Sequence, residues 1–175
     1  LNQEALDGIY AVYDLGGGTF DFSVIEVKDN EVKVLNSDGI QKCGGDDFDR
    51  LLYDIIVDKY YEKTQDEIND LDFNLTHAEK AKRSLTSKEK ALVKVGKEII
   101  EITREEFNEA ISSLVLQTKV TVEKTINDSG VDFSDVLEVY MVGGSTRVPL
   151  VQETIASIFN KQPVQTVNTD EVVAL

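Results

Sequence analysis

The chain has 175 residues, enough for one good-sized domain or two small lobes with a substantial core. With 41% hydrophobic and 29% charged residues and two prolines, the composition excludes disordered and fibrous proteins. A net charge of -15 argues against a nucleic-acid ligand. One cysteine and one histidine exclude an internal disulfide and a zinc site, and the apolar runs are too short to cross a membrane, so we expect a soluble, intracellular protein.

The first part of the chain is predicted to form three strands in meander order. An apolar run at 9–13 precedes the glycines at 16–18, and a largely period-two alternation then continues to residue 27. The turn signal Asp29-Asn30 separates this strand from a third alternating segment at 31–36.

The middle of the chain, residues 44–111, is predicted to be an inserted, helix-rich α+β subdomain. Asp46 or Asp47 is expected to cap its first amphipathic helix. A capping box from Thr76 to Glu79 is expected to open a second helix, and short strands are expected on both sides of Gly96.

The flanking segments, 1–43 and 112–175, are predicted to form one α/β sheet subdomain. The apolar run 137–142 predicts a strand that is buried on both faces. Gly143-Gly144 follows it, and a helix is expected from Val148-Pro149, because proline suits the first turn of a helix.

The first candidate site is the string Asp14-Leu15-Gly16-Gly17-Gly18-Thr19-Phe20-Asp21. Three glycines allow backbone N–H groups to approach a phosphate closely, and carboxylates beside phosphates hold a metal ion or a water. The turn joins two strands and lacks Gly-Lys-Ser/Thr, so it is neither a Walker loop nor a dinucleotide fingerprint. The structural alternative is a glycine-rich hairpin whose acids only cap the turn.

The second candidate site is Val142-Gly143-Gly144-Ser145-Thr146-Arg147-Val148-Pro149. A strand that runs through glycines into a helix N-terminus favours an anion, and the glycines admit a flat ring. Arg147 is able to stack on a base or to pair with a phosphate. An ordinary strand-to-helix turn capped by Ser145 or Thr146 is the alternative.

A third set comprises Glu79, Lys82, Arg83 and Thr86, whose spacing places them on roughly one helix face. A carboxylate accepts hydrogen bonds from ribose hydroxyls, and a long cationic side chain covers an adenine ring. Alternatively, Glu79 only completes the capping box, and Lys82 and Arg83 are solvated charges.

In this order, the three segments and the turn Gly-Gly-Asp-Asp-Phe-Asp at 44–49 resemble the seventy-kilodalton heat-shock chaperones, DnaK-like proteins with an actin-like ATPase domain of ribonuclease-H-like fold. The resemblance covers essentially the whole chain. Asp46, in place of the usual Glu, and the short segment around Gly96 resemble the HscA type, the iron–sulfur cluster assembly chaperones.

The resemblance implies that these residues bind ATP or ADP with Mg²⁺, with K⁺ as a further candidate cation. Asp14 matches the catalytic acid near the metal ion and the attacking water, and Asp21 matches an acid that helps to bind the cation. The phosphate loop comprises Gly16, Gly17, Gly18 and Thr19, and Gly45 faces the edge of the nucleotide. Glu79, Lys82 and Thr86 match residues that contact the ribose and the adenine, and Arg83 matches an arginine against the adenine face. The adenosine loop comprises Gly143, Gly144, Ser145 and Arg147, and Asp170 lies near the base pocket. This chain departs from the family pattern at Thr169, usually Pro, and at Thr86, usually Ser.

The resemblance also implies the second lobe of the ATPase domain in a longer, cytoplasmic protein, with a sheet subdomain (IIA-like) and a mobile subdomain (IIB-like). Leu1 and the apolar run ending at Leu175 fit a piece of that protein. The whole protein would hydrolyse ATP and bind a J-domain co-chaperone and a client polypeptide, an iron–sulfur scaffold for the HscA type. From this chain alone we expect little or no hydrolysis, because catalysis needs both lobes around the phosphates. A general DnaK-type chaperone, a sugar or acetate kinase of the same fold and an interaction module without nucleotide are the alternatives.

Overall fold

The structure is a computed structural model, and it describes residues 6–166. No helix in this range is both long enough and apolar enough to span a membrane. The helices and strands, in chain order, are β1 (Gly8–Leu15), β2 (Phe20–Lys28), β3 (Glu31–Ile40), α1 (Gly45–Thr64), α2 (Leu75–Ser87), β4 (Lys90–Val95), β5 (Glu98–Thr103), α3 (Arg104–Ser129), β6 (Val136–Val142), α4 (Pro149–Phe159) and β7 (Val164–Gln165).

The described residues form two compact units. The first contains the residues up to Gly45 and those from Leu114 onward, and the second is Asp46–Ser113. The limits taken from the sequence, residues 44 and 111, each differ from these by two residues.

A mixed five-stranded sheet in the order β3-β2-β1-β6-β7 is the centre of the first unit. As the alternation predicts, β1, β2 and β3 pair antiparallel in meander order, whereas β6 lies parallel to β1 and to β7. On one face of β1, Tyr13 is fully buried, its ring centroid 4.6 Å from that of Phe20, and its hydroxyl donates to Thr118 Oγ1 of α3. Tyr10 belongs to a second buried cluster with residues of β2 and β6. Both faces of the central strands are therefore covered, and the ends of β1 and β6 are held in fixed positions.

The expectation that β6 is buried on both faces holds for most of the strand, since Val136 and Val142 are buried on one face and Val139 and Met141 on the other. The exception is Leu137, which is 44% exposed. The strand has a full-length neighbour in β1 and only the two-residue β7 on its other side, so its first residues lie at an open edge of the sheet.

The second unit packs helices and a β4–β5 hairpin around a core of aromatic and aliphatic side chains. The buried residues include Phe48, Leu52, Ile56, Phe73, Leu85 and Phe107. Burial of each such side chain stabilises the fold by about 1.5–3 kcal/mol. The predicted strands around Gly96 are confirmed, and Gly96 has a φ of 58°, which glycine adopts without strain.

Two predicted helix caps in this unit are wrong. Helix α1 begins at Gly45, so Asp46 and Asp47 lie in its first turn, where their charges suit the helix dipole. Helix α2 is capped by Asn74, whose side chain accepts from Thr76 N at 3.1 Å, while His77 Nδ1 accepts from Asn74 N at 3.1 Å. Glu79 therefore takes no part in the capping box.

Candidate functional site

The glycine turn between β1 and β2 is open on its outer side. Gly16 N donates to Thr19 O at 3.2 Å, which closes the turn, and Gly17, Gly18 and Thr19 are exposed. A Cβ built on Gly16 or Gly18 would meet no atom within 4 Å. Packing therefore does not require glycine at these two positions, and the space beside the backbone is free for a ligand.

The second glycine segment lies directly against the first. Ser145, 6% exposed, donates from Oγ to the carbonyl oxygen of Gly16 at 2.9 Å. Gly143 has a φ of 93°, and a Cβ there would lie 2.3 Å from the carbonyl oxygen of Leu15. A Cβ on Gly144 would meet nothing within 4 Å. Gly143 is thus required by packing, whereas Gly144 faces open space.

The expected helix N-terminus at this segment is corrected by the structure. Residues 144–147 form a 3₁₀ turn, and α4 begins only at Pro149, which occupies the first turn as predicted. The N–H groups of Thr146 and Val148 are bonded within the turn, to Gly143 O at 3.2 Å and to Ser145 O at 3.3 Å. The macrodipole of α4 therefore does not begin at the glycines. Arg147 is the exposed last residue of the turn.

A third glycine segment, Gly44-Gly45, completes the cluster. Gly45 N donates to the carbonyl oxygen of Gly16 at 2.9 Å, and Cys43 N donates to Gly18 O at 3.3 Å. A Cβ on Gly44 would lie 2.4 Å from the carbonyl oxygen of Gly17. Three glycine segments that are distant in sequence thus meet at one carbonyl group.

The two carboxylates of the first motif lie opposite each other on adjacent strands. Asp14 on β1 is the register partner of Asp21 on β2, so both side chains lie on the same face of the sheet. Burial, and after it the charge of Asp21, raises the pKa of the Asp14 carboxyl above its ordinary value. No ion pair within residues 6–166 includes either of these carboxylates. Two facing carboxylates that form no ion pair with a basic side chain in this range are suited to bind a metal cation.

A metal ion at this position would need further ligands. Nowhere in the described part of the chain do three or more His, Cys, Asp or Glu side chains form a group that could hold a metal ion. Mg²⁺ is bound in many proteins by one or two carboxylates together with waters and phosphate oxygens. The pair Asp14 and Asp21 fits a site of that kind.

The four predicted residues of α2 belong to the second unit. Arg83 Nη2 lies 2.6 Å from Glu79 Oε1 in an exposed ion pair, and the Thr86 hydroxyl donates to Arg83 O at 2.7 Å. Lys82 Nζ lies 2.8 Å from Asp49 Oδ1, and both side chains are 12% exposed. Sequence reasoning missed Asp49 as the partner of Lys82, because the two residues lie on different helices.

The predicted base-pocket residue Asp170 lies outside the described residues.

Comparison with known proteins gives the same family as the motifs. A family model described as Hsp70 protein matches residues 1–175. The chain is 43% identical to the chaperone protein HscA of Salmonella paratyphi B, and equally to the proteins of that name from Salmonella heidelberg and Cronobacter sakazakii, over 97% of its length. It spans 27% of the length of each of these relatives. The α/β, actin-like ATPase fold expected from the sequence is confirmed by the family match. The chain is therefore a member of the Hsp70 family.

Proposed function

We propose that this chain is the second lobe of the ATPase domain of an HscA-type chaperone and that it binds adenine nucleotide. The observation that carries the proposal is the meeting of three glycine segments at the carbonyl group of Gly16, beside open space at Gly16, Gly18 and Gly144. Backbone N–H groups free of a neighbouring Cβ bind phosphate oxygens closely. The first unit thus offers a phosphate loop and an adenosine loop side by side.

Individual roles in this proposal follow the family resemblance. Gly16, Gly17, Gly18 and Thr19 bind the β- and γ-phosphates. The adenosine is bound by Gly143, Gly144, Ser145 and Arg147, with Gly45, Glu79, Lys82, Arg83, Thr86 and Asp170 as further nucleotide contacts. Asp14 and Asp21 hold the divalent cation, which neutralises phosphate charge when bound, and K⁺ is the further candidate cation.

We further propose that the whole protein couples its nucleotide state to the binding of a client polypeptide. The names of the relatives support a chaperone, and the HscA type supports a cytoplasmic role in iron–sulfur cluster assembly, with a J-domain co-chaperone and a scaffold protein as partners. Hydrolysis of ATP belongs to the whole protein in this proposal, because the chain spans only 27% of its relatives.

An NMR titration of the chain with Mg²⁺ and ADP tests the nucleotide proposal. Saturable shifts of the backbone amides of Gly16, Gly18 and Gly144 are expected, with smaller shifts for AMP, which lacks the β-phosphate. Gly144→Ala should weaken binding without unfolding the chain, whereas Ser157→Ala, on the exposed surface of α4, serves as the matched control. If no amide signal shifts at millimolar ADP, or if signals shift but those of the three glycines do not, nucleotide binding at the proposed loops is contradicted.

A further inference from the structure

A second concave surface lies in the second unit, and none of the residues that line it is assigned to the nucleotide. A groove of about 570 Å³ runs between helix α2 and strand β4. Its first wall is one face of α2 and the residue after it: His77, Lys80, Ala81, Ser84 and Lys88. Its second wall comprises five consecutive residues, 90–94. We call this surface the α2–β4 groove.

The groove follows a free strand edge. Consecutive residues of a strand point to opposite faces of the sheet, so a groove lined by all of 90–94 must run along the edge of β4. No residue of β5 lines it. Within residues 6–166, β4 pairs with β5 alone, in a two-stranded sheet. Alternate N–H and C=O groups of β4 therefore point away from β5, toward the groove, and are available to another strand.

The charge of the groove is opposite to that of the chain. Ten described residues line the groove, of which four are lysines and none is acidic, although the chain carries a net charge of -15. Among the described residues, no carboxylate forms an ion pair with Lys80, Lys88 or Lys94. Lys90 pairs with Glu101 of β5 at 3.1 Å, an exposed contact that an incoming carboxylate could replace. The groove is thus a basic concavity on an acidic protein.

The lysines of the two walls have matching separations. Lys80 and Lys88 are eight residues apart along the helix direction, about 12 Å at 1.5 Å per residue. Lys90 and Lys94 are four residues apart on the strand, about 13 Å at 3.3 Å per residue. A segment in extended conformation places carboxylates four residues apart at the same separation. Ala81 and Ala91, each 6% exposed, have small side chains that leave depth between the walls.

We propose that the α2–β4 groove binds an extended acidic segment of a partner protein, which adds to β4 as a third strand. Main-chain hydrogen bonds to the free edge supply affinity, and carboxylates at four-residue spacing pair with the lysines of both walls. Apolar side chains on the other face of the segment pack against Val93, which is half-buried and lies on the same face of β4 as Ala91. This inference does not rest on nucleotide binding.

The test uses a fluorescein-labelled seven-residue peptide of alternating aspartate and valine, titrated into the 175-residue chain at low salt. Saturable binding is expected, with amide shifts at residues 90–94 and weaker binding as salt screens the charges. Lys80→Glu and Lys94→Glu should each weaken binding about five- to twenty-fold, because each replaces an attraction by a repulsion. Lys97→Glu, at the tip of the same hairpin and outside the groove, is the matched control and should change binding less than about twofold.

Two further peptides separate strand addition from simple charge attraction. They carry N-methyl groups on the odd or on the even residues, and only one set of N–H groups can face β4. One methylated peptide should therefore lose binding while the other retains it. Absence of saturable binding at about 1 mM peptide, or equal affinity of the two methylated peptides, would overturn the proposal. So would a loss of affinity in Lys97→Glu as large as in the groove variants, or binding of polyuridylate as tight as that of the acidic peptide. Far-UV circular dichroism of each variant checks that it is folded.

Discussion

The hydroxyl of Ser145 donates a hydrogen bond of 2.9 Å to the carbonyl oxygen of Gly16, 129 residues away in the chain. The same oxygen accepts from the backbone N–H of Gly45 at 2.9 Å. These two bonds fasten the turn after β6 and the start of α1 to the turn between β1 and β2. The bond from Ser145 thus reinforces the relative position of two candidate ligand-binding loops, which the pairing of β1 with β6 also holds.

Ser145→Ala removes this link between the loops. We expect a loss of about 0.5–1.5 kcal/mol in the free energy of unfolding, because one buried hydrogen bond disappears while Gly16 O keeps its bond from Gly45. Affinity for ADP should fall as well, since one of the contacts that position the two loops is lost. Urea unfolding and calorimetric titration measure the two effects. Ser157→Ala, whose hydroxyl bonds only within its own helix, should change neither.

The adjacent glycines of the second motif should respond differently to alanine. Gly143→Ala is expected to cost at least about 2 kcal/mol, because the new Cβ would overlap the carbonyl group of Leu15 and the φ of 93° is strained for alanine. Gly144→Ala should cost less than about 0.5 kcal/mol, since its Cβ enters open space. That Cβ nevertheless occupies proposed ligand space, so affinity for ADP should fall. Equal stability losses, or an unchanged affinity in Gly144→Ala, would contradict the assignment.

Asp14→Asn should make the chain more stable at neutral pH. The pKa of Asp14 is raised above its ordinary value of 3.8, so the folded state holds this proton more tightly than the unfolded state does. Ionisation of Asp14 therefore destabilises the fold as pH rises through the raised pKa, and asparagine avoids this cost. The gain should shrink as pH is lowered from 7 toward 4, measured by urea unfolding. Asp132→Asn, at an exposed position, is the control, and a gain that is independent of pH would refute the explanation.

Lys82→Met should destabilise the second unit by about 2–4 kcal/mol, because it leaves the Asp49 carboxylate, 9% exposed, without its cation. Burial raises the pKa of Asp49 and the ammonium group of Lys82 opposes that rise. In the variant Asp49 should therefore protonate more readily, and part of the lost stability should return as pH falls. Combining Lys82→Met with Asp49→Asn in a double-mutant cycle measures the coupling, which is expected to be large. Purely additive losses would show that the pair is not coupled.

Arg83→Ala separates stability from ligand binding on the same helix. The ion pair of Arg83 with Glu79 is exposed, with 75% of the arginine side chain accessible, so its loss should cost less than about 0.5 kcal/mol. If Arg83 covers the adenine, affinity for ADP should drop several-fold while affinity for inorganic pyrophosphate stays unchanged. Lys80→Ala, one turn earlier on α2, is the control. An equal loss for both ligands would argue against a contact with the base.

Local signals in the sequence predicted most of the fold. The alternation at 20–27 predicts a strand and the glycine at 96 predicts a turn between two short strands, and the structure has both. The caps of α1 and α2 were predicted wrongly because several acceptors lie near each helix start. The side chain that caps α2 depends on which residue is the first of the helix. Asn74, Thr76 and Glu79 are all close enough in the chain to be candidates.

By itself, the sequence determined the family, the order of strands and helices, and the identity of the glycine motifs, because short stretches of sequence are sufficient to recognise each of them. Only the tertiary structure decided which glycines are needed for packing, as at Gly44 and Gly143, and which face open space, as at Gly16 and Gly144. It also decided that Lys82 pairs with Asp49 and that α2 and β4 enclose a basic groove. Close approach of segments distant in the chain follows from how the sheet and helices pack, and no local pattern encodes that distance.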